Sequence, residues 1–192
     1  MTSQPYPAAP RQDIVEALHG HTVADPYRWL EDAEDPATRS WSKAQDELVR
    51  PFLDRLPSRD GFARRLRELS VGLISPPTVR GDRFFVMRRN PTEEHAVLAV
   101  LAPGDDPLTG GRVLIDPSGL SDDDTVTLDG WLPSHDGALL AYLLSDAGDE
   151  ESSLRVMDVA TGGTVDGPID RCRYSSLAWT GDGSGLYYVR RL

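Results

Sequence analysis

Two similar stretches near the C-terminal end decide the fold: WLPSHDGALLAY at residues 131–142 and WTGDGSGLYY at residues 179–188. In both, an aromatic residue closes a short strand, an Asp-Gly pair makes the turn, and a tyrosine follows six residues after the aspartate. Asp-Gly tolerates the positive φ of a tight hairpin turn, and alternating apolar residues form half-buried strands. The two Asp-Gly pairs lie 46 residues apart, a spacing typical of β-propeller blades. Two unrelated hairpins of a β-sandwich are the alternative.

The composition is that of an acidic protein with a single cysteine. Its 192 residues carry a net charge of −11, so nucleic acid and anionic membranes are excluded as partners because they would repel the chain. The sequence contains no apolar run of about 18 residues, and its first residues have neither the basic start nor the apolar core expected of a signal peptide. Cys172 cannot form an internal disulfide, and we therefore predict a cytoplasmic protein.

Residues 1–71 are predicted to be an arm followed by two helices. Residues 1–18 are rich in proline and polar residues and should be extended. Asp35-Pro36 predicts a helix start, with the aspartate as N-cap and the proline at the first helical position. Pro51 should kink or end this helix, and a second helix should begin after Ser58.

Each predicted helix has one apolar face. Trp41, Ala44, Leu48 and Phe52 mark the first face at helical spacing, and Phe62, Leu66 and Leu69 mark the second. Two such helices cannot bury much apolar surface alone, so their faces should cover another surface. That surface is either the β-repeats that follow or something missing from this chain.

Residues 72–192 are predicted to be β-structure. Eight candidate strands are separated by Gly, Pro and Asp, with no helical periodicity between them. They are residues 83–88, 96–101, 112–115, 125–128, 139–144, 153–159, 177–179 and 186–189. The 121 residues from Gly72 to Leu192 are enough for about two and a half blades at roughly 46 residues each. Because an unclosed stack leaves a bare sheet edge, we expect the chain to be the front part of something longer.

Several short sequences resemble one known family. HGHTVADPYRWLED at residues 19–32 is similar to the N-terminal signature of the prolyl oligopeptidases, which are cytosolic serine peptidases. The resemblance continues through LIDP at residues 114–117 and SLAWTGDG at residues 176–183, and covers roughly residues 5–190. Oligopeptidase B has a similar opening, but the uninterrupted Asp25-Pro26-Tyr27 favours the prolyl branch.

The resemblance implies a two-domain enzyme that hydrolyses short peptides on the carboxyl side of proline. An α/β-hydrolase domain is built from both ends of the full chain, and a seven-bladed propeller is inserted between them. Residues 1–71 would then pack on the hydrolase domain, and residues 72–192 would be the first blades of an incomplete propeller. The propeller would gate substrate access, short proline-containing peptides would be the substrates, and no metal or organic cofactor is implied.

The catalytic triad of that family is not found in this sequence. A nucleophile elbow needs Gly-x-Ser-x-Gly, and no serine here has glycines at that spacing. The nearest match is DGSG at residues 182–185, whose flanking residues are wrong and whose context is a hairpin turn. No catalytic residue is therefore assigned, and the chain by itself is predicted to be inactive.

The spacing of the histidines and acidic residues gives little support for a metal site. His19 and His21 lie near Asp25, but no third ligand follows at a recognisable spacing, and His95 and His135 are predicted to be solvated. The acidic run at residues 122–124 lacks the glycine and the distal glutamate of a calcium loop, and residues 149–151 are predicted to form a solvated acidic turn. No metal site is predicted.

Tyr174 is the one candidate substrate-binding residue. Aligned on Trp179, it falls where the resembling family has an aromatic residue that lines the distal substrate pocket, so its ring is expected to pack against an apolar peptide side chain. The alternative is an ordinary strand residue of the third blade. Glu150 keeps an acid that the family has nearby, whereas Glu151 replaces the family's tryptophan, so this loop departs from the pattern.

Two functions are therefore compatible with the sequence. The first is the N-terminal and propeller portion of a prolyl oligopeptidase, with the activity residing in the whole enzyme. The second is a non-catalytic, propeller-like binding module. The length favours the first, because 121 residues do not close a propeller.

Overall fold

A computed structural model of the protein describes residues 6–121 and 124–192. The chain divides into two compact units, the first ending at Leu69 and the second running from Ser70 to Leu192. Among the described residues, neither helix combines the length and the hydropathy needed to cross a membrane.

The first unit begins with a small hairpin that the sequence pattern did not predict. Strand β1 (Val15–Leu18) pairs antiparallel with β2 (His21–Ala24). The turn between them is His19-Gly20, with φ of 51° and 82°. Residues 15–18 of the predicted extended arm are extended, but their backbone groups are paired in this ladder instead of being free.

Two helices follow a short 3₁₀ turn at Arg28–Glu31. Helix α1 (Pro36–Leu53) starts where predicted, because the Asp35 carboxylate accepts a hydrogen bond of 2.7 Å from the Ala37 amide. It continues two residues beyond Pro51, so the proline lies in the last turn instead of marking the end. Helix α2 (Arg59–Leu69) begins directly after Ser58, as predicted.

The apolar face of α2 is exposed within the first unit, whereas that of α1 is half-buried at Trp41, Ala44 and Leu48 and exposed at Phe52. No residue of α1 or α2 is buried among the described residues, and Phe52, Phe62 and Leu66 each expose more than 60% of their surface. Exposed apolar stripes of this kind are typical of helices that cover another surface.

The second unit is made of antiparallel sheets. In the first sheet, β3 (Leu73–Ile74) and β4 (Thr78–Arg80) both pair with β5 (Arg83–Arg89), followed by β6 (Val97–Leu101) and β7 (Arg112–Ile115). The second sheet contains β8 (Thr127–Pro133), β9 (Leu139–Ser145), β10 (Ser153–Asp158) and β11 (Thr164–Ile169). A last pair consists of β12 (Ala178–Trp179) and β13 (Leu186–Tyr187). The fold is therefore mainly β, with two helices before sheets that match an incomplete propeller.

Strand β9 is buried on both faces, which shows how the sheets stack. Leu140, Tyr142 and Leu144 pack in one cluster with Phe85 and Leu98 of the first sheet. The alternate residues of β9, Ala141 and Leu143, pack in a second cluster with Leu177, Trp179 and Leu186 around the last pair of strands. Since side chains alternate along a strand, β9 lies between two neighbouring sheets, as a propeller blade does.

The two Asp-Gly turns have the same hydrogen bonds at an offset of 46 residues. In the first, the Ser134 hydroxyl donates to Asp136 Oδ1 at 2.6 Å. In the second, the Thr180 hydroxyl donates to Asp182 Oδ1, also at 2.6 Å. In each copy the amide two residues after the aspartate donates to the same oxygen, at 3.0 and 3.1 Å. The repeat is thus a structural repeat of the turn as well as of the sequence.

The tryptophans of the two copies are not equivalent. Pro133 pairs with Leu140 across the first turn, and Trp179 pairs with Leu186 across the second. Trp179 therefore takes the place of Pro133, whereas Trp131 lies two residues earlier, inside β8. The turn, and not the aromatic residue, defines the repeat.

The hydrogen bonds of the second turn lower the pKa of its aspartate, Asp182. Bonds from the Thr180 hydroxyl and from Ser184 lower the pKa of Asp182 to about 2. Because the folded pKa is depressed, this carboxylate stabilises the turn above the unfolded value of about 3.9, and the effect is lost as the pH falls towards 2. We expect an NMR titration to give that pKa and Thr180→Val to raise it, while Asp136 in the first turn is unaffected.

Candidate functional site

A cavity of about 600 Å³ lies beside β8 in the second unit. Its apolar wall includes Trp131, Leu132, Leu143 and Leu177, and its polar rim includes Asp129, Glu150, Ser152 and Tyr174. The volume falls in the range of small-molecule and peptide side-chain pockets, and a mostly apolar wall with a few polar groups is typical of such pockets.

The apolar wall is held by contacts between consecutive sheets. The indole of Trp131 packs near Phe85 of the first sheet, with the ring centroids 6.5 Å apart. On the other side, Trp179 Nε1 donates a hydrogen bond of 3.1 Å to the Leu132 carbonyl. Trp131, Leu132 and Leu143 of the wall therefore lie on strands, and Leu177 comes from the segment directly before β12.

Two loops bring the polar residues of the rim together. The Cys172 amide donates to the Ser152 carbonyl at 2.9 Å, which joins the loop after β9 to the segment before β12. Cys172 is fully buried and anchors this contact, and its burial raises the pKa of the thiol. Two residues further on, Tyr174 has a left-handed backbone with φ of 54°.

Tyr174 lies at the cavity rim and is hydrogen-bonded to the Glu150 carboxylate. Its hydroxyl donates to Glu150 Oε2 at 2.5 Å, and the Arg173 guanidinium donates to the same oxygen. The hydrogen bond from Tyr174 and then that from Arg173 lower the pKa of Glu150, so this carboxylate is ionised at neutral pH. Tyr174 as a whole exposes 77% of its surface.

Asp129 is placed by an irregularity in the sheet. The β8–β9 register shifts between Leu128 and Gly130, so Asp129 is the extra residue of a bulge. Its Oδ2 accepts a hydrogen bond of 2.6 Å from the Ser152 hydroxyl, and its Oδ1 accepts one of 2.9 Å from Thr127. The bulge thus ties β8 to the loop that carries Glu150.

The sequence predicted Tyr174 as a site residue but not its neighbours in the cavity. Tyr174 lies outside the strands, in the turn before β12, and lines the cavity. Sequence reasoning did not single out Arg173, Asp129 or Ser152. For Arg173, the sequence signal was that it directly precedes Tyr174. Asp129 left no such signal, because a bulge residue is recognised only once the strands are paired.

The other sequence candidates do not assemble into a site. His19 and His21 are exposed in the β1–β2 hairpin. His95 Nε2 lies 3.6 Å from Asp124 Oδ1, whereas residues 122 and 123 of the acidic run lie outside the described residues. Within residues 6–121 and 124–192, no group of three or more His, Cys, Asp or Glu side chains is arranged to hold a metal ion.

Comparison with known families gives one match over nearly the whole chain. The model for the prolyl oligopeptidase N-terminal β-propeller domain matches residues 6–191. The match therefore includes the hairpin and helices of the first unit as well as the sheets of the second.

Individual proteins agree with this match. A prolyl endopeptidase of Elizabethkingia miricola is 26% identical over 184 residues, covering 95% of this chain and 25% of that protein. Prolyl oligopeptidase A of Galerina marginata is 30% identical, covering 96% of this chain and 28% of that protein. The chain thus spans about a quarter of the length of these relatives.

Solved structures show the same fold. One, from a study of two prolyl endopeptidases and their inter-domain dynamics, is 36% identical, with a TM-score of 0.76, and covers 96% of this chain and 27% of that one. Prolyl oligopeptidase B of Galerina marginata, bound to a 35-residue substrate, has a TM-score of 0.72 over 97% of this chain and 29% of that one. The latter is 24% identical, so it supports the fold alone.

Proposed function

Since the chain belongs to the prolyl oligopeptidase family, as its N-terminal β-propeller portion, we propose that it gates substrate access in a prolyl endopeptidase. The complete protein would be a serine peptidase that hydrolyses short peptides on the carboxyl side of proline. Residues 1–71 would pack on an α/β-hydrolase domain that carries the catalytic triad, and residues 72–192 would be the first blades of the propeller.

The observation that carries this proposal is the extent of the family match. It covers residues 6–191 of this chain, yet the chain spans only about a quarter of its relatives, and the sequence contains no Gly-x-Ser-x-Gly. Activity would therefore reside in a part of the complete protein outside these 192 residues. The exposed apolar residues Phe52 of α1 and Phe62, Leu66 and Leu69 of α2 support the same proposal, because they offer a surface for a second domain.

The reading frame downstream of Leu192 tests the proposal cheaply. We expect it to continue through further Asp-Gly-Tyr repeats to a Gly-x-Ser-x-Gly sequence. A stop codon at that point, together with a stable and monodisperse product, would instead support a non-catalytic binding module.

We also propose a cytoplasmic location. A single buried cysteine supports it, because disulfides are the usual sign of an oxidising compartment. Fractionation of cells that express the complete protein would test this location, and recovery in a secreted fraction would contradict it.

Tyr174 is proposed to contact the substrate from the propeller side. Its exposed ring at the rim of an apolar cavity supports this role. In the complete enzyme, Tyr174→Ala should raise KM for longer prolyl peptides roughly 2- to 10-fold, the loss expected for one aromatic contact. Tyr174→Phe keeps the ring but loses its hydrogen bond to Glu150, so its KM should lie between those of the unmodified enzyme and Tyr174→Ala.

Steady-state kinetics on a short and a longer peptide would check this prediction. We expect kcat and the KM of the short peptide to stay near the wild-type values. An unchanged KM for the longer peptide in Tyr174→Ala would remove Tyr174 from the substrate site while leaving the family assignment intact.

A further inference from the structure

We propose that Arg173 is a positioning residue that fixes the Tyr174 ring at the rim of the cavity, and through it sets the preference for longer peptides. This inference rests on the proposed function, because it assumes that Tyr174 contacts the substrate. In this role, Arg173 does not contact the reacting atoms.

Arg173 and Tyr174 converge on one oxygen atom. Both donate to Glu150 Oε2, so a single carboxylate holds the guanidinium and the phenol side by side. The Arg173 guanidinium carbon also lies 5.0 Å from the centroid of the Tyr174 ring, within the distance of a cation–π contact. The ring is thus restrained both at its hydroxyl and on its face.

The backbone shows why such restraint is needed. Glu150 and Tyr174 both have positive φ, 59° and 54°, which residues with a side chain rarely adopt. Conformations of this kind persist only where surrounding contacts over-determine them, and here those contacts join the two residues directly. Loss of the guanidinium would remove its hydrogen bond to Glu150 and its contact with the ring face, leaving the ring held through its hydroxyl alone and less firmly placed at the rim.

Arg173 also belongs to a wider ionic network. Its Nη1 lies 3.8 Å from Glu151 Oε1, and Arg191 Nη1 donates to the same Glu151 oxygen at 3.0 Å. Glu151 directly follows Glu150, so both acidic partners of Arg173 lie in the same loop. Glu151 thus gives Arg173 a second acidic partner and orients it further towards the loop of Glu150.

An arginine suits this role better than a lysine. The planar guanidinium stacks on an aromatic face while donating to a carboxylate in its own plane, whereas an ammonium group is a strongly hydrated point charge. Arg173→Lys should therefore restore the charge but only part of the positioning.

The experiment compares variants of the complete enzyme on a short and a longer prolyl peptide. Arg173→Gln should raise KM for the longer peptide roughly 3- to 10-fold, with kcat and the short peptide unchanged. Arg173→Lys should give an intermediate value. Arg171→Gln is the matched control, because Arg171 is exposed and pairs with Asp170 at 3.5 Å.

A double-mutant cycle separates positioning from general stability. If Arg173 acts through Tyr174, Arg173→Gln should have no further effect in a Tyr174→Ala background. Additive effects, or an equal change in Arg171→Gln, would overturn the inference. If Tyr174→Ala raises KM and Arg173→Gln does not, Arg173 loses its role while the proposed function stands; if Tyr174→Ala has no effect either, the proposed contact itself fails.

Discussion

Gly111→Ala is expected to lower the free energy of unfolding of the second unit by about 3–5 kcal/mol. Gly111 has φ of 72°, and a Cβ atom there would lie 2.4 Å from the Val100 carbonyl oxygen and 2.5 Å from Leu101 Cδ2. The backbone oxygen cannot move without breaking the β6–β7 ladder. The substitution therefore combines backbone strain with a steric clash.

Gly81→Ala is the matched control for the strain alone. Gly81 also has a positive φ, 60°, but a Cβ atom there would meet nothing within 4 Å. It should cost only about 1–2 kcal/mol. Urea denaturation would measure the free energy of unfolding of both variants, and hydrogen exchange of the β6 and β7 amides would localise the change. An equal loss of free energy in the two variants would contradict the close packing at Gly111.

Leu140→Ala is expected to cost about 2–5 kcal/mol. Leu140 is fully buried in the cluster between the first and second sheets, so its removal leaves a cavity between two propeller-like blades. Val165→Ala on β11 is the control, because Val165 is 56% exposed and a surface change of this kind usually stays within about 0.5 kcal/mol.

Hydrogen exchange of β9 and β10 would localise the effect of Leu140→Ala. We expect faster exchange in both strands, since the cavity lies directly against β9. Exchange unchanged from the unmodified protein would mean that the sheets do not stack through Leu140.

The fold was predictable where local chemistry and tertiary structure agree. The Asp-Gly turns, the Asp35 cap of α1 and the start of α2 follow from side chains that act on neighbouring backbone groups. Strand β11 was missed because its sequence, TVDGPI, contains both glycine and proline, which normally argue against a strand. The strand expected at residues 125–128 instead begins at Thr127 and extends to Pro133.

The candidate site was predictable only in part. Tyr174 was reached through a family resemblance, and the position of Glu150 through the same alignment. Arg173 and Asp129 depend on long-range geometry: the first on a loop that brings Glu150 across 23 residues of sequence, the second on a bulge in the β8–β9 pairing. Neither arrangement leaves a periodic signal in the sequence.

The chain is proposed to supply a substrate gate and to depend on a separate hydrolase domain for catalysis. Hydrolysis of a blocked prolyl peptide by the purified 192-residue chain, assayed beside the complete protein, tests this division of roles. We predict hydrolysis by the complete protein, abolished by a serine-directed inhibitor, and none by the chain alone. Hydrolysis by the 192-residue chain itself would contradict the proposed dependence on a second domain.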